Sequence, residues 1–264
     1  MSRLSGTARR AADHPALSLL AKVGFAARGV LYALLGILAI QVAFGGGGKE
    51  ADKSGAIHLV AAQPLGEVLL WVMAVGLAGL AVWQFGEAVF GGGRARDRVE
   101  SGGRFVVYLL LVFSILGLLI GGKKAASTDS QSRDATRALF ELPGGPFLVG
   151  VVALGVIALG CYWMYQGWTR EFMKDMRVTT PEARKTITRL GVAGHVARGV
   201  VAVAAGILIG RAAVTYDPEE AVGIDGALKA LADTPAGPVS LVVVAVGLVL
   251  FAVYCFAESR WHRT

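Results

Sequence analysis

Six long apolar stretches, separated by shorter polar segments, dominate the chain. Each is close to the roughly 20 residues that a helix needs to cross the hydrocarbon core of a bilayer. Runs such as Leu109–Phe113 are continuously apolar and lack the alternation of a β-barrel strand. The pattern therefore predicts an all-α membrane protein with six transmembrane helices, at Val23–Phe44, Leu65–Phe90, Phe105–Gly121, Phe147–Trp168, Leu190–Gly210 and Val239–Ala257.

The composition supports a membrane protein. Of the 264 residues, 55% are hydrophobic and 17% are charged, and the mean hydropathy is +0.59. Soluble domains have about 25% charged residues. A water-soluble globular domain is therefore excluded as the main part of the chain.

The distribution of charge predicts the orientation. Six spans place both termini on one face, together with the loops after the second and fourth spans. That face carries 18 of the 26 lysines and arginines but 8 of the 19 acidic residues. By the positive-inside rule, both termini are expected in the cytoplasm. The basic residues are spread over loops without a recognition motif, so we expect contacts with membrane lipids and no nucleic-acid binding.

The second helix of each predicted hairpin begins with the same spacing of five residues. A proline is followed by glycines two and twelve positions later, then by an aromatic residue and by Glu or Gln. This recurrence predicts three tandem helical hairpins of one orientation around a pseudo-threefold axis, with the glycines serving close packing. The three copies are Pro64, Gly66, Gly76, Trp83, Glu87; Pro143, Gly145, Gly155, Tyr162, Gln166; and Pro235, Gly237, Gly247, Tyr254, Glu258.

The first helices of the hairpins are less alike. Residues 24–30 match residues 194–200, whereas the middle copy keeps Arg104 and Tyr108 but has Phe105 where the others have glycine. A short helix at the extracytoplasmic interface is expected before each proline, at residues 56–63, 134–142 and 225–233. The predicted divisions are a cytoplasmic segment 1–22, repeats at 23–92, 103–168 and 190–258, a basic linker 169–189 and a cytoplasmic end 259–264.

The paired Ala-Arg-Gly-Val elements at residues 27–30 and 197–200, the P-x-G entry and the three hairpins resemble a bacterial family. It is the integral-membrane family called domain of unknown function 1206, and the resemblance covers roughly residues 20–260. It implies a six-helix protein of the bacterial inner membrane. It brings no established activity, cofactor or catalytic residue.

Each repeat carries an arginine and a glutamate or glutamine near the cytoplasmic ends of its spans. Intramembrane charges usually face the bundle and find partners. One hypothesis is that these groups clamp each hairpin, or adjoining hairpins, together. A second is that they ring the axis as a gate or ion-binding girdle, and a third is contact with partners or lipid headgroups. The pairs are Arg28 with Glu87, Arg104 with Gln166, and Arg198 with Glu258.

No enzymatic motif is present, and His195 is the one histidine inside a predicted span. We therefore expect no cofactor, metal site or catalytic residue. The favoured function is non-enzymatic, through a partner, lipid or self-association as a homo-oligomer. The alternative is a small-solute or ion transporter with a pathway along the axis, gated by the Arg/Glu pairs. Transport ranks second because midplane stretches such as Leu109–Leu118 are apolar, whereas transporters place polar groups there.

Overall fold

The fold is all-helical in a computed structural model that describes residues 15–44, 51, 53–64, 66–90, 95–121, 127–235 and 237–261. The described residues form nine α-helices, three for each repeat. These are α1 (Pro15–Ala43), α2 (Lys53–Ala61) and α3 (Gly66–Phe90); α4 (Ala95–Gly121), α5 (Thr128–Phe140) and α6 (Gly145–Thr169); and α7 (Pro181–Thr215), α8 (Ile224–Ala232) and α9 (Gly237–Trp261).

Six helices (α1, α3, α4, α6, α7 and α9) are long and apolar enough to cross a membrane, which confirms the predicted number of spans. Three of them begin at least eight residues before the predicted apolar stretches, and α1 starts at Pro15. Helix α4 starts at Ala95, and α7 starts at Pro181, within the predicted basic linker. These helices begin earlier because charged residues interrupt an apolar stretch but can still be helical. Helix α7 begins at Pro181 because proline is favoured in the first turn of a helix.

The short helices α2, α5 and α8 lie at the end of the bundle that we call the connector face. The opposite end, the terminal face, holds both described chain ends, where the Ser259 hydroxyl donates to the Lys22 carbonyl at 2.7 Å. The segments in which the sequence predicts short helices are helical, although α5 begins six residues before the predicted Asp134.

The repeated P-x-G sequence forms the same turn three times. The amide of the glycine donates to the carbonyl three residues earlier, at 2.9 Å in the first two repeats and 2.7 Å in the third. A Cβ atom at Gly66, Gly145 or Gly237 would overlap a carbonyl oxygen of the preceding short helix. Glycine therefore lets each second spanning helix begin directly against its short helix.

The spanning helices pack in the order α4, α3, α1, α9, α7, α6. Each repeat contacts the next through the first helix of one and the second helix of the other, as α1 does with α9. The first and third repeats are also closed hairpins, in which α1 packs on α3 and α7 on α9. Helices α4 and α6 of the second repeat have no comparable interface, so the row of contacts is open there.

Hydrogen bonds to side chains join the repeats on the connector face. The buried Asp225 carboxylate accepts from the Ala51 amide at 2.8 Å and from Lys229 Nζ at 2.5 Å, which ties the first repeat to the third. Asp129 at the start of α5 accepts from the amides of Gly223 and Gly226, at 2.8 and 3.1 Å. Asp129 thus satisfies two amides at the start of α8 that have no helical partner.

Candidate functional site at the arginine cluster

Arg28 on α1 joins three helices through its guanidinium group. It forms an ion pair with Glu258 on α9, and its Nη1 donates to the Tyr108 hydroxyl on α4 at 2.9 Å. Its Nε lies 3.3 Å from Cys255 Sγ on α9. The side chains of the ion pair are 12% and 11% exposed, so removing one partner would leave a buried charge without its counterion. This group of contacts links the first repeat to the second and third.

Arg198 on α7 lies among aromatic rings. Its Cζ is 3.9 Å from the centroid of Trp163 on α6 and 4.7 Å from that of Phe251 on α9. Its Nε is buried and has no hydrogen-bond partner among the described residues. Ring contacts occupy the flat faces of a guanidinium group and leave its N–H edge for an acceptor. Arg198 therefore has at least one N–H donor that the described part of the protein does not use.

Arg104 on α4 completes what we call the arginine cluster: Arg28, Arg104 and Arg198, from equivalent positions of the three repeats. Arg104 is exposed and close enough to Arg198 and His195 to interact with them electrostatically. Phe251 separates the other two members, because its ring centroid is 5.6 Å from Arg28 Cζ and 4.7 Å from Arg198 Cζ.

The pairing within each hairpin does not occur for Arg28 or Arg198. Glu87 is exposed on α3 and makes no ion pair in the described part of the chain. Glu258 pairs with Arg28 instead of Arg198, because α9 packs against α1. The observed ion pair therefore matches the other arrangement considered, a link between adjoining hairpins. Gln166 is buried and donates to the Tyr162 hydroxyl of its own helix at 2.6 Å.

His195 belongs to an aromatic cluster on the terminal face. Its Nδ1 is 2.8 Å from the Gly191 carbonyl oxygen of the same helix. Its ring stacks on Phe172 at 4.8 Å, and Phe251 and Tyr254 approach its edges at 5.2 and 5.5 Å. Phe172 comes from a 3-10 helix, Glu171–Asp175, in the segment before α7. Side chains thus fill this end of the third hairpin.

The second hairpin differs from the others at its glycine. A Cβ atom at Gly76 would lie 2.8 Å from the backbone nitrogen of Gly24, across the first hairpin. At Gly247 it would overlap Ala197, across the third. At Gly155 it would meet no atom of another described helix within 4 Å. The helices that cross closely in the first and third repeats are therefore apart in the second.

The sequence of the second repeat also differs at the other residue of this crossing. A Cβ atom at Gly24 would overlap the Gly76 carbonyl oxygen, and one at Gly194 would lie 2.7 Å from Phe251 Cα, so both closed crossings require glycine. The equivalent residue of the second repeat is Glu100. A side chain of that size has no room at such a crossing.

We call the opening between α4 and α6 the second-repeat cleft. Exposed apolar residues lie on both helices: Val107 on α4, and Leu159 on α6, one helical turn after Gly155, are each 42% exposed. A small pocket between α1, α2 and α4 is lined by Arg28, Leu31, Tyr32, Leu35, Lys53, Val107, Tyr108 and Leu111. The cleft thus has apolar walls, and the arginine cluster lies towards its terminal-face end.

Comparison with known proteins agrees with the repeat structure. A family model described as Domain of Unknown Function (DUF1206) matches three times, at residues 23–91, 100–170 and 193–262. The chain belongs to this family. It is also 30% identical over 260 residues to the uncharacterized protein YxxB of Bacillus subtilis (strain 168), covering 94% of this chain and 92% of that protein. No solved structure matches this DUF1206 protein.

Several side chains of the site were not among the predicted site residues, and Phe251 is one of them. Tyr108 is signalled in the sequence, since it follows Arg104 by four positions as Tyr32 follows Arg28. Trp163 fits an interfacial aromatic belt by its position, yet it packs under Arg198. The positions equivalent to Cys255 hold Gln84 and Trp163, so the repeat pattern contains no signal for a cysteine in contact with Arg28.

Proposed function

We propose that this DUF1206 protein is a non-enzymatic lipid-binding protein of the bacterial inner membrane. Its second-repeat cleft takes up a phospholipid acyl chain. The observation that carries this proposal is the absence of a close α4–α6 crossing in an otherwise paired bundle, seen most directly at Gly155. A lateral opening with apolar walls at bilayer depth is chemically suited to a hydrocarbon chain.

The proposed orientation places the terminal face in the cytoplasm, because the excess of lysine and arginine lies there. The three repeats then surround a pseudo-threefold axis that is interrupted at the second hairpin. Equivalent glycine contacts support this symmetry: Gly29 lies against Ala252 as Gly199 lies against Gly160. The short helices α2, α5 and α8 would cover the outer ends of the spans at the extracytoplasmic interface.

A transport pathway is less well supported than lipid binding. The centre of the bundle near the cytoplasmic side holds Arg28, Phe251 and Tyr254, and the last two are almost completely buried. A conducting pathway needs water or polar groups along its length. We therefore expect proteoliposomes containing the protein to show the same ion and small-anion leak as empty liposomes.

Filling the cleft tests the proposal. We expect Gly155→Trp to reduce the phospholipid retained per protein after detergent exchange, measured by native mass spectrometry. Gly86→Trp on α3 is the matched control, because Gly86 also has open space around its Cβ position but lies outside the cleft. Equal lipid retention by the two variants, or no retained lipid in the unmodified protein, would contradict the proposal.

A further inference from the structure

We propose that the occupant of the second-repeat cleft is an anionic phospholipid of the cytoplasmic leaflet, its phosphate bound by Arg198 and Arg104. This inference rests on the proposed function and specifies the headgroup. A lipid that enters sideways between α4 and α6 would bring its headgroup to the terminal-face end of the cleft. Arg104 is on α4, and Arg198 on α7 packs on Trp163 of α6, the other helix that borders the cleft.

Arg198 supplies the chemical basis for headgroup recognition. Trp163 and Phe251 hold its guanidinium group by ring contacts at 3.9 and 4.7 Å. Its buried Nε has no acceptor, and the group forms no ion pair within the described residues. An uncompensated guanidinium of this kind favours an anionic acceptor, and phosphate matches the geometry of its N–H edge.

Electrostatics favours an anion over a neutral acceptor. Glu258, the carboxylate that pairs with Arg28, does not pair with Arg198. The positive charges of Arg28 and Arg104 lie near enough to Arg198 to repel it. An anion placed between Arg104 and Arg198 would reduce this repulsion in a region where water is scarce.

The depth of the cluster fits a phospholipid better than a free anion. Arg104 immediately precedes the apolar stretch Phe105–Gly121, at the level where lipid phosphates meet the hydrocarbon core. The walls beyond it, towards the connector face, are apolar, with Val107 and Leu159 at the borders. One ligand with a phosphate attached to a hydrocarbon chain satisfies both parts of the cleft.

Competition between two lipids of equal acyl chains tests the headgroup. The protein is reconstituted in nanodiscs of equimolar phosphatidylglycerol and phosphatidylethanolamine, extracted, and analysed by native mass spectrometry. We expect phosphatidylglycerol to be retained about tenfold over phosphatidylethanolamine. Both lipids offer a phosphate, but the ammonium group of phosphatidylethanolamine adds a positive charge beside the arginines, and a repulsion of about 1.4 kcal/mol corresponds to that ratio. Arg198→Gln and Arg104→Gln should each remove most of this preference, and Arg198→Lys should restore part of the loss.

The control is Arg189→Gln, which removes an exposed arginine of the same helix α7 and should leave the preference unchanged. Arg104→Gln keeps the test valid if Arg198→Gln misfolds, because Arg104 is exposed.

Lipid retained without headgroup preference would overturn this inference and leave the lipid-binding proposal intact. Displacement of the lipid by millimolar inorganic phosphate, or a lipid-free dimer closed across the cleft, would overturn the inference as well. Of these two results, only the dimer would also overturn lipid binding.

Discussion

The first and second hairpins have the same sequence pattern in their second helices but differ in how their helices meet. In the first, Gly24 and Gly76 allow the backbones of α1 and α3 to approach closely. In the second, Gly155 is retained while its counterpart is Glu100, and α4 and α6 pack on neighbouring repeats instead. A repeat therefore keeps its position in the bundle through its contacts with other repeats, even when its own hairpin is open.

Substitutions that remove contacts between the first and third repeats should lower the free energy of unfolding most. We expect Arg28→Ala to lower the free energy of unfolding by about 3–5 kcal/mol, because Glu258 is then buried without its counterion. Thermal unfolding in detergent measures the effect, with Glu87→Ala as the exposed control. If both variants unfolded at the wild-type temperature, the contacts of Arg28 would not stabilise the bundle.

Equivalent glycines provide the sharpest contrast between the closed and open hairpins. Gly76→Leu should destabilise the protein by about 3 kcal/mol, because the new side chain meets Val23 and the backbone of Gly24. Gly155→Leu should change stability by less than about 0.5 kcal/mol. Parallel unfolding curves of the two variants test this difference. A similar loss of stability at both positions would mean that the second hairpin is closed.

A substitution on the connector face should lower the free energy of unfolding less than those at Arg28 and Gly76. We expect Asp225→Ala to cost about 1–2 kcal/mol, because it leaves the buried Ala51 amide without an acceptor. Asp134→Ala, at an exposed position of α5, is the control. Hydrogen exchange at Ala51 should increase in the Asp225 variant and stay unchanged in the control. Unchanged exchange in both would show that this bond does not join the repeats.

Removing the aromatic contact of Arg198 should cause the smallest loss of stability. Trp163→Leu should lower stability by about 1 kcal/mol, the usual size of a partly desolvated cation–π contact. Trp168→Leu is the matched control, because Trp168 is 83% exposed on the same helix. If the two tryptophans were equally dispensable in unfolding measurements, Trp163 would belong to an interfacial belt.

Local patterns in the sequence predict much of the fold. Apolar length determines the six spans, and the recurring proline and glycine predict where each second helix begins. The partners of the charged residues do not follow in this way. Glu87 and Glu258 occupy equivalent positions on helices with equivalent neighbours, since α3 packs on α4 as α9 packs on α1. Glu258 nevertheless pairs with Arg28, whereas Glu87 is exposed. Repeat spacing identifies the equivalent residues but does not contain the information on which of them finds a partner.

The opening of the second hairpin could be predicted only in part. Phe105 and Glu100 replace glycines of the other repeats, so the divergence of this copy is visible in the sequence. Its consequence depends on which glycine lies at which crossing. Gly24 lies at the crossing with α3 inside the first hairpin, whereas Gly29 lies against α9 of the third repeat. Only the structure distinguishes these two roles.

Photocrosslinking from position 155 tests the open second hairpin most directly. A benzophenone amino acid at this position, activated in native membranes, should form adducts with lipid, because no atom of another described helix lies within 4 Å of the Gly155 Cβ position. The same group at the open position Gly86 measures general lipid contact on an outer surface. We predict that the lipid at position 155 resists exchange with added lipid and that the lipid at position 86 does not. Crosslinks from position 155 to α4 of the same chain would contradict the account.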